Sequence, residues 1–213
     1  MLVNGIHLLP DLSGALLWPK ERLLALADPR PDKACLDRLI RLLRQVQPNT
    51  VIRLGGTAMD HDSGVLHRVA GACSWIELDG DDAEWVRGDL TFRASPRRDD
   101  SPGEVAGGLH PPAAVVTAAG GMVRPCFVSD GRRLILPTFA AATGCLDVLD
   151  ATVRPLFKRG FHVIMLGLGR LHSYPRARLD SGARPSSSGN DQHFRSETAL
   201  PSGSPSGTRF KLM

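Results

Sequence analysis

The stretch from residue 22 to residue 56 constrains the fold more than any other part of the chain. Residues 22–27 hold the run Leu23-Leu24-Ala25-Leu26-Ala27, and a short continuous apolar run fits a strand buried on both faces. Residues 34–46 then place Leu36, Leu39, Ile40 and Leu43 at i, i+3, i+4, i+7 spacing, with Asp37, Arg38, Arg41 and Arg44 outside that stripe. That spacing predicts an amphipathic helix, ended by Pro48, which has no N–H to donate. Residues 50–54 are β-branched and apolar and stop at Gly55-Gly56. A strand, a helix and a strand in so short a segment read as a right-handed crossover between parallel neighbours. In such units the site-forming loops follow the carboxyl ends of the strands, where Asp28 and Gly56 fall.

Around this unit the pattern is strand-rich. Residues 2–9 and 15–18 flank the turn-rich Pro10-Asp11-Leu12-Ser13-Gly14 and read as a hairpin covering a sheet edge. A second, shorter helix is expected at 63–72, then a strand at 74–78 and the acidic run Asp79-Gly80-Asp81-Asp82-Ala83-Glu84. That run lacks the Gly and terminal Glu positions of a helix–loop–helix calcium loop, so it reads as a solvated turn. Strands follow at 113–117, 124–128 and 133–136, the last two joined by Asp130-Gly131, a strong hairpin signal, and a final strand at 161–166. The expected fold class is α/β: a two-sheet sandwich flanked by helices over residues 1–170.

Composition separates this body from the C-terminal residues. The formal net charge is +4, but residues 171–213 hold six Arg or Lys against three acidic residues, so the body is close to neutral. Basicity read over the whole chain is therefore weak evidence for a nucleic-acid partner. Residues 171–213 also contain nine Ser, four Gly and four Pro without an apolar period, and the segment is expected to be a disordered tail. Cys35, Cys73, Cys126 and Cys145 form no Cys-x-x-Cys pair and are expected to be buried, reduced thiols. His7, His61, His67, His162 and His172 have no ligand spacing among themselves. With neither a signal-peptide pattern nor a run of about 18 apolar residues, the expectation is a soluble, cytoplasmic protein with no membrane partner.

Four segments in fixed order carry a resemblance: Leu26-Ala27-Asp28, Val51-Ile52-Arg53-Leu54-Gly55, Gly107-Gly108-Leu109-His110-Pro111, and the stretch from Arg124 through Asp130-Gly131 to Pro137. In that order they resemble the calcineurin-like metallophosphoesterases, and most of all the bacterial DNA-ligase-associated phosphoesterase/endonuclease family, over residues 3–170. The resemblance implies a two-sheet metallophosphoesterase-like sandwich and hydrolysis of phosphodiesters by two divalent cations, manganese or similar, that clamp the phosphate and activate a bridging water. It also implies DNA-repair proteins or nucleic acid as partners.

Against the family's pattern most metal ligands are replaced. Asp28 keeps the first motif's carboxylate, but the His of Asp-x-His is Arg30, a guanidinium that cannot deprotonate to bind a cation. The aspartate that bridges both metals is Gly56. The third motif fits in two registers, offering Asp79 in one and Asp81 in the other, and in both the catalytic His is missing. The next family His corresponds to Ala94, and of Gly-His-x-His only His110 survives. The resemblance thus leaves Asp28 and His110 as vestigial ligands of the first metal, Asp79 and Asp81 as alternatives for the second, and Arg30 as an ion-pair partner of Asp28 or a substrate contact. The family's longer first loop is also missing before the helix at Ala34, which implies a more open cleft. The function expected is a degenerate metallophosphoesterase-like domain with impaired catalysis. The alternative is a residual metal-dependent hydrolase using Asp28 and His110 with ligands from the acidic loop.

Overall fold

Two β-sheets face each other in the computed structural model, which describes residues 1–57, 66, 68, 69, 71, 73–117, 120–140 and 147–180. The smaller sheet runs β3 (Leu9–Pro10), β4 (Leu16–Trp18), β5 (Leu23–Ala27), β6 (Thr50–Leu54), β7 (Ser74–Leu78), and a ribbon of β1 (Leu2–Val3) and β2 (Ile6–His7) precedes it. The larger sheet contains β8 (Glu84–Arg87), β9 (Leu90–Arg93), β10 (Glu104–Ala106), β11 (Pro112–Thr117), β12 (Gly120–Ser129), β13 (Arg133–Ile135), β14 (His162–Leu166) and β15 (Leu171–Pro175). Its order is β15-β14-β12-β13-β10-β9-β8, with β11 paired to β12 off that path.

The crossover expected at 22–56 is present: β5 and β6 are parallel with Ala27 opposite Leu54, and β6 and β7 are parallel with Leu54 opposite Leu78. Helix α1 (Lys33–Val46) makes the connection. Asp32 caps its N-terminus by accepting from the Cys35 N–H at 2.9 Å, and Gln47 closes it in the left-handed conformation ahead of Pro48. Its fully buried residues are Cys35, Leu39, Leu42 and Leu43, whereas Leu36 and Ile40 are half-buried. The buried stripe is thus rotated toward Leu42 relative to the sequence expectation.

Alternation along β5 and β6 explains their apolar runs. Ala25, Ala27, Ile52 and Leu54 face the larger sheet and pack with Leu90, Phe92, Val105, Phe127, Leu134 and Leu136. Leu24, Leu26 and Val51 pack with α1. A third cluster covers the outer face of the larger sheet, where Val115, Cys126, Val128 and Val163 meet Val153, Phe157 and Phe161. Cys35 and Cys126 are buried, Cys73 is half-buried, and burial pushes all three thiols up. Cys145 lies outside the described residues. No helix among the described residues is long and apolar enough to cross a membrane.

Several local expectations need correction. Residues 2–9 are not one strand: Asn4 and Gly5 both have positive φ and fold β1 onto β2, the behaviour of an Asn-Gly turn. Strands β8, β9 and β10 were not anticipated, because charged residues interrupt their alternation. Residues 171–180 do not belong to a disordered tail, since β15 pairs antiparallel with β14 from Leu171 opposite Leu166 to Pro175 opposite His162. A five-residue strand is invisible when composition is averaged over 171–213. The remaining tail, 181–213, and most of the helix expected at 63–72 lie outside the described residues; Leu66, Arg68 and Val69 are helical.

One polar cluster is buried in the larger sheet. Glu104 is fully buried, with Oε2 2.5 Å from Arg133 Nε, Oε1 3.4 Å from Arg93 Nε, and a hydrogen bond from the Arg97 N–H at 2.9 Å. Arg133 also donates to the carbonyls of Leu156 at 3.0 Å and Asp99 at 2.8 Å, and Arg93 reaches Glu84. Burial pushes the Glu104 carboxyl up, against the lowering by the Arg97 N–H and by Arg133 and Arg93. The two Nε contacts are ion pairs without a directed hydrogen bond. The cluster thus fixes the 94–103 crossover and the 147–157 segment to one sheet, through charges that depend on one another.

Candidate functional site

The carboxyl ends of strands from both sheets meet along one edge of the sandwich. Asp28 N–H donates to the Leu54 carbonyl at 3.1 Å and Gly55 N–H to the Leu78 carbonyl at 2.8 Å. On the larger sheet Gly107 N–H donates to Arg93 at 3.3 Å and Leu136 N–H to Ala106 at 2.8 Å. Phe139 N–H donates to the Ala27 carbonyl at 2.7 Å, and an isolated parallel bridge joins Ala27 to Thr138, which ties the two sheets together at this edge. Four of the positions singled out from the sequence, Asp28, Gly56, Ala94 and Gly108, converge here.

Asp28 and His110 touch. The His110 Nε2–H donates to Asp28 Oδ2, which also accepts from the Gly108 N–H at 3.3 Å. Both side chains are about one-fifth exposed. Both residues have φ near +48°, a left-handed conformation that costs a non-glycine residue roughly 1 kcal/mol or more. Two strained backbones aim two side chains at one point, across 82 residues of sequence.

Two positions at which the resemblance expects ligands, Gly56 and Gly108, are glycines closed in by neighbouring chain. A Cβ on Gly56 would lie 2.7 Å from Asp28 Cα and 2.9 Å from the Pro29 carbonyl oxygen, and Gly56 has φ +87°. A Cβ on Gly108, at φ +81°, would lie 2.9 Å from the Ala94 carbonyl oxygen and 3.0 Å from Ser95 Oγ. At Gly107 a Cβ would meet the Leu54 carbonyl oxygen at 2.9 Å. These glycines let the chain segments pack where a side chain would otherwise stand. The described residues do not fit a two-metal centre: no group of three or more His, Cys, Asp or Glu among them is placed to hold a cation, and Asp28 with His110 supplies two donors where a transition-metal site takes four to six.

The other expected site residues are not brought into the Asp28–His110 contact. Asp79 follows β7, and Arg53 takes both of its oxygens, Nη1 to Oδ1 at 2.7 Å and Nη2 to Oδ2 at 2.6 Å. Arg53 is fully buried and also bonds Glu77 at 3.0 Å and the carbonyls of Gly55 and Gly56 at 2.9 and 3.2 Å. Its guanidinium holds the Asp79 carboxyl below the usual carboxylate range, so a cation at Asp79 would compete with a bidentate pair. Asp81 lies in the exposed turn before β8. The carboxylate of Asp28 accepts from His110 and from the Gly108 N–H, and the Arg30 N–H donates to Cys35 Sγ at 3.4 Å. Arg53 was missed as an organiser of these loops. A lone charge in a buried apolar strand was its signal.

Comparison with solved structures places the chain beside the crystal structure of Pseudomonas putida nuclease MPE, with a TM-score of 0.58 at 22% identity, covering 82% of this chain and 98% of that one. A conserved uncharacterized protein from Streptococcus pneumoniae, described as a predicted phosphoesterase, aligns at 12% identity with a TM-score of 0.32, over 72% of this chain and 97% of that one, a likeness too low to carry weight. No protein-family model matches the sequence, and no curated protein matches it. The likeness to the nuclease gives the fold alone, an α/β two-sheet sandwich.

Proposed function

We propose that this chain is a degenerate metallophosphoesterase-like domain, related to the DNA-ligase-associated phosphoesterases and nucleases, whose cleft no longer supports two-metal hydrolysis. The observation that carries this reading is the closure at Gly56. The position that should bridge two cations has no side chain, and the backbone of Asp28 and Pro29 occupies the space one would need. Two-metal catalysis needs both cations held at once to stabilise the attacking and leaving oxygens. Removing even a residue that only orients a ligand costs about 10- to 100-fold in affinity or activity, and here several ligands are missing together. The Asp28–His110 contact supports the same reading, because each satisfies the other's polar atoms in place of a cation. Retention as a binding module for DNA-repair proteins or nucleic acid is the role the resemblance offers for such a domain.

The test is hydrolysis of bis(p-nitrophenyl) phosphate by the full chain with added manganese. The expected rate is indistinguishable from that of buffer with manganese. Turnover that disappears on Asp28→Ala or His110→Ala would instead establish a residual metal-dependent hydrolase built on those two residues.

A further inference from the structure

Two contiguous cavities open on the outer face of the larger sheet, away from the Asp28–His110 edge. One, of about 290 Å³, is bounded by Arg98, Thr152 and Leu156, and the other, of about 430 Å³, by Arg154, Phe161 and Arg176. Ala151 and Pro155 belong to both, so the two form one groove. Its walls carry three arginines and no carboxylate. Arg98, Arg154 and Arg176 are exposed and none has an ion-pair partner among the described residues; Arg176 lies over the Phe161 ring at 5.9 Å. Nearby acids have partners of their own. Asp150 accepts from the Thr152 N–H and hydroxyl, Asp99 accepts from the Ser101 hydroxyl, and Asp100 faces Arg132 and Lys158.

We propose that this groove binds an acidic peptide segment of a partner protein, with carboxylates on Arg98, Arg154 and Arg176 and an apolar side chain against Pro155 and Leu156. Guanidinium forks match carboxylates bidentately. Phe157 and Phe161 are only 5% and 8% exposed, so they offer no open ring face on which bases would stack. The chain's own residues 181–213 do not suit the groove, because they carry four basic against two acidic residues and repel it.

The test is fluorescence anisotropy of a fluorescein-labelled acidic peptide, two Asp and two Glu flanking a central Leu-Phe pair, titrated with the full chain at low and at physiological salt. Saturable binding is expected, weaker at the higher salt and weakened at least about tenfold by combined Arg98→Ser and Arg154→Ser. Both side chains are exposed, and thermal melts of the variant should match the parent. A peptide with Ala-Ala in place of Leu-Phe should bind more weakly, and exposed Arg170→Ser, outside the groove, should have no effect. No saturable binding would overturn the proposal. So would equal loss on Arg170→Ser, which would mark diffuse charge, or a labelled oligonucleotide that binds more tightly than the peptide through Arg98 and Arg154.

Discussion

Glu104→Ala should lower the unfolding free energy by about 3–5 kcal/mol, because it leaves Arg93 and Arg133 charged and buried without the carboxylate between them. At roughly 2–4 °C per kcal/mol for a chain of this size, the melting temperature should fall by about 10 °C. Glu104 is 0% exposed and Arg133 3% exposed, so solvent cannot replace the lost partner. Glu104→Gln separates charge from volume and carries a pH signature. A folded-state carboxyl above its unfolded value near 4.5 binds its proton more tightly when folded. The proton-linked part of its contribution is therefore complete below pH 4.5 and lost as pH rises through the folded value. Asp79 acts in the opposite sense: Arg53 holds it low, so its contribution is present at neutral pH and lost as pH falls. Urea melts from pH 4.5 to 7.5 should show parent stability falling more, or rising less, with pH than that of Glu104→Gln. Identical slopes would mean that burial does not disfavour the Glu104 charge.

Gly56→Asp, which puts back the bridging carboxylate of the family pattern, should damage the fold instead of repairing the site. A side chain at φ +87° costs roughly 1–3 kcal/mol, and a Cβ 2.7 Å from Asp28 Cα adds an overpacking cost of similar size. A loss of about 3 kcal/mol is expected, with no gain in manganese-dependent hydrolysis. Gly56→Ala should lose nearly as much, since the cause is the backbone and the space rather than the carboxylate. If Gly56→Asp melts with the parent and gains activity, the loop relaxes easily and the site is not closed. Equilibrium unfolding of both variants beside the activity assay decides it.

How much of this was legible in the residues depends on the element. The 22–56 crossover was readable because β5, α1 and β6 each bury a periodic face, and its geometry sets Asp28 beside Leu54. The meeting of Asp28 and His110 was reachable only through the order of motifs, since no spacing rule joins residues so far apart. The Asp130-Gly131 turn was read correctly, whereas Asn4-Gly5, an equally strong turn signal, was absorbed into an expected strand. Strands β8, β9 and β10 were hidden because Glu84, Arg93 and Glu104 neutralise one another inside the sheet, and a one-dimensional pattern scores each as solvent-facing. The same blindness applied to Arg53, whose partners Glu77 and Asp79 lie on the neighbouring strand and its end. Gly56 and Gly108 were read as lost ligands. That they are also positions where no side chain fits is a property of three dimensions.

The most direct test of the central claim is calorimetric titration of manganese into the purified, metal-stripped full chain, with Asp28→Ala as the reference. Two donors already bonded to each other should give no site tighter than about 1 mM, and the parent and Asp28→Ala traces should superimpose. Stoichiometric binding in the micromolar range that Asp28→Ala or His110→Ala abolishes would contradict it and show that the cleft still assembles a metal centre.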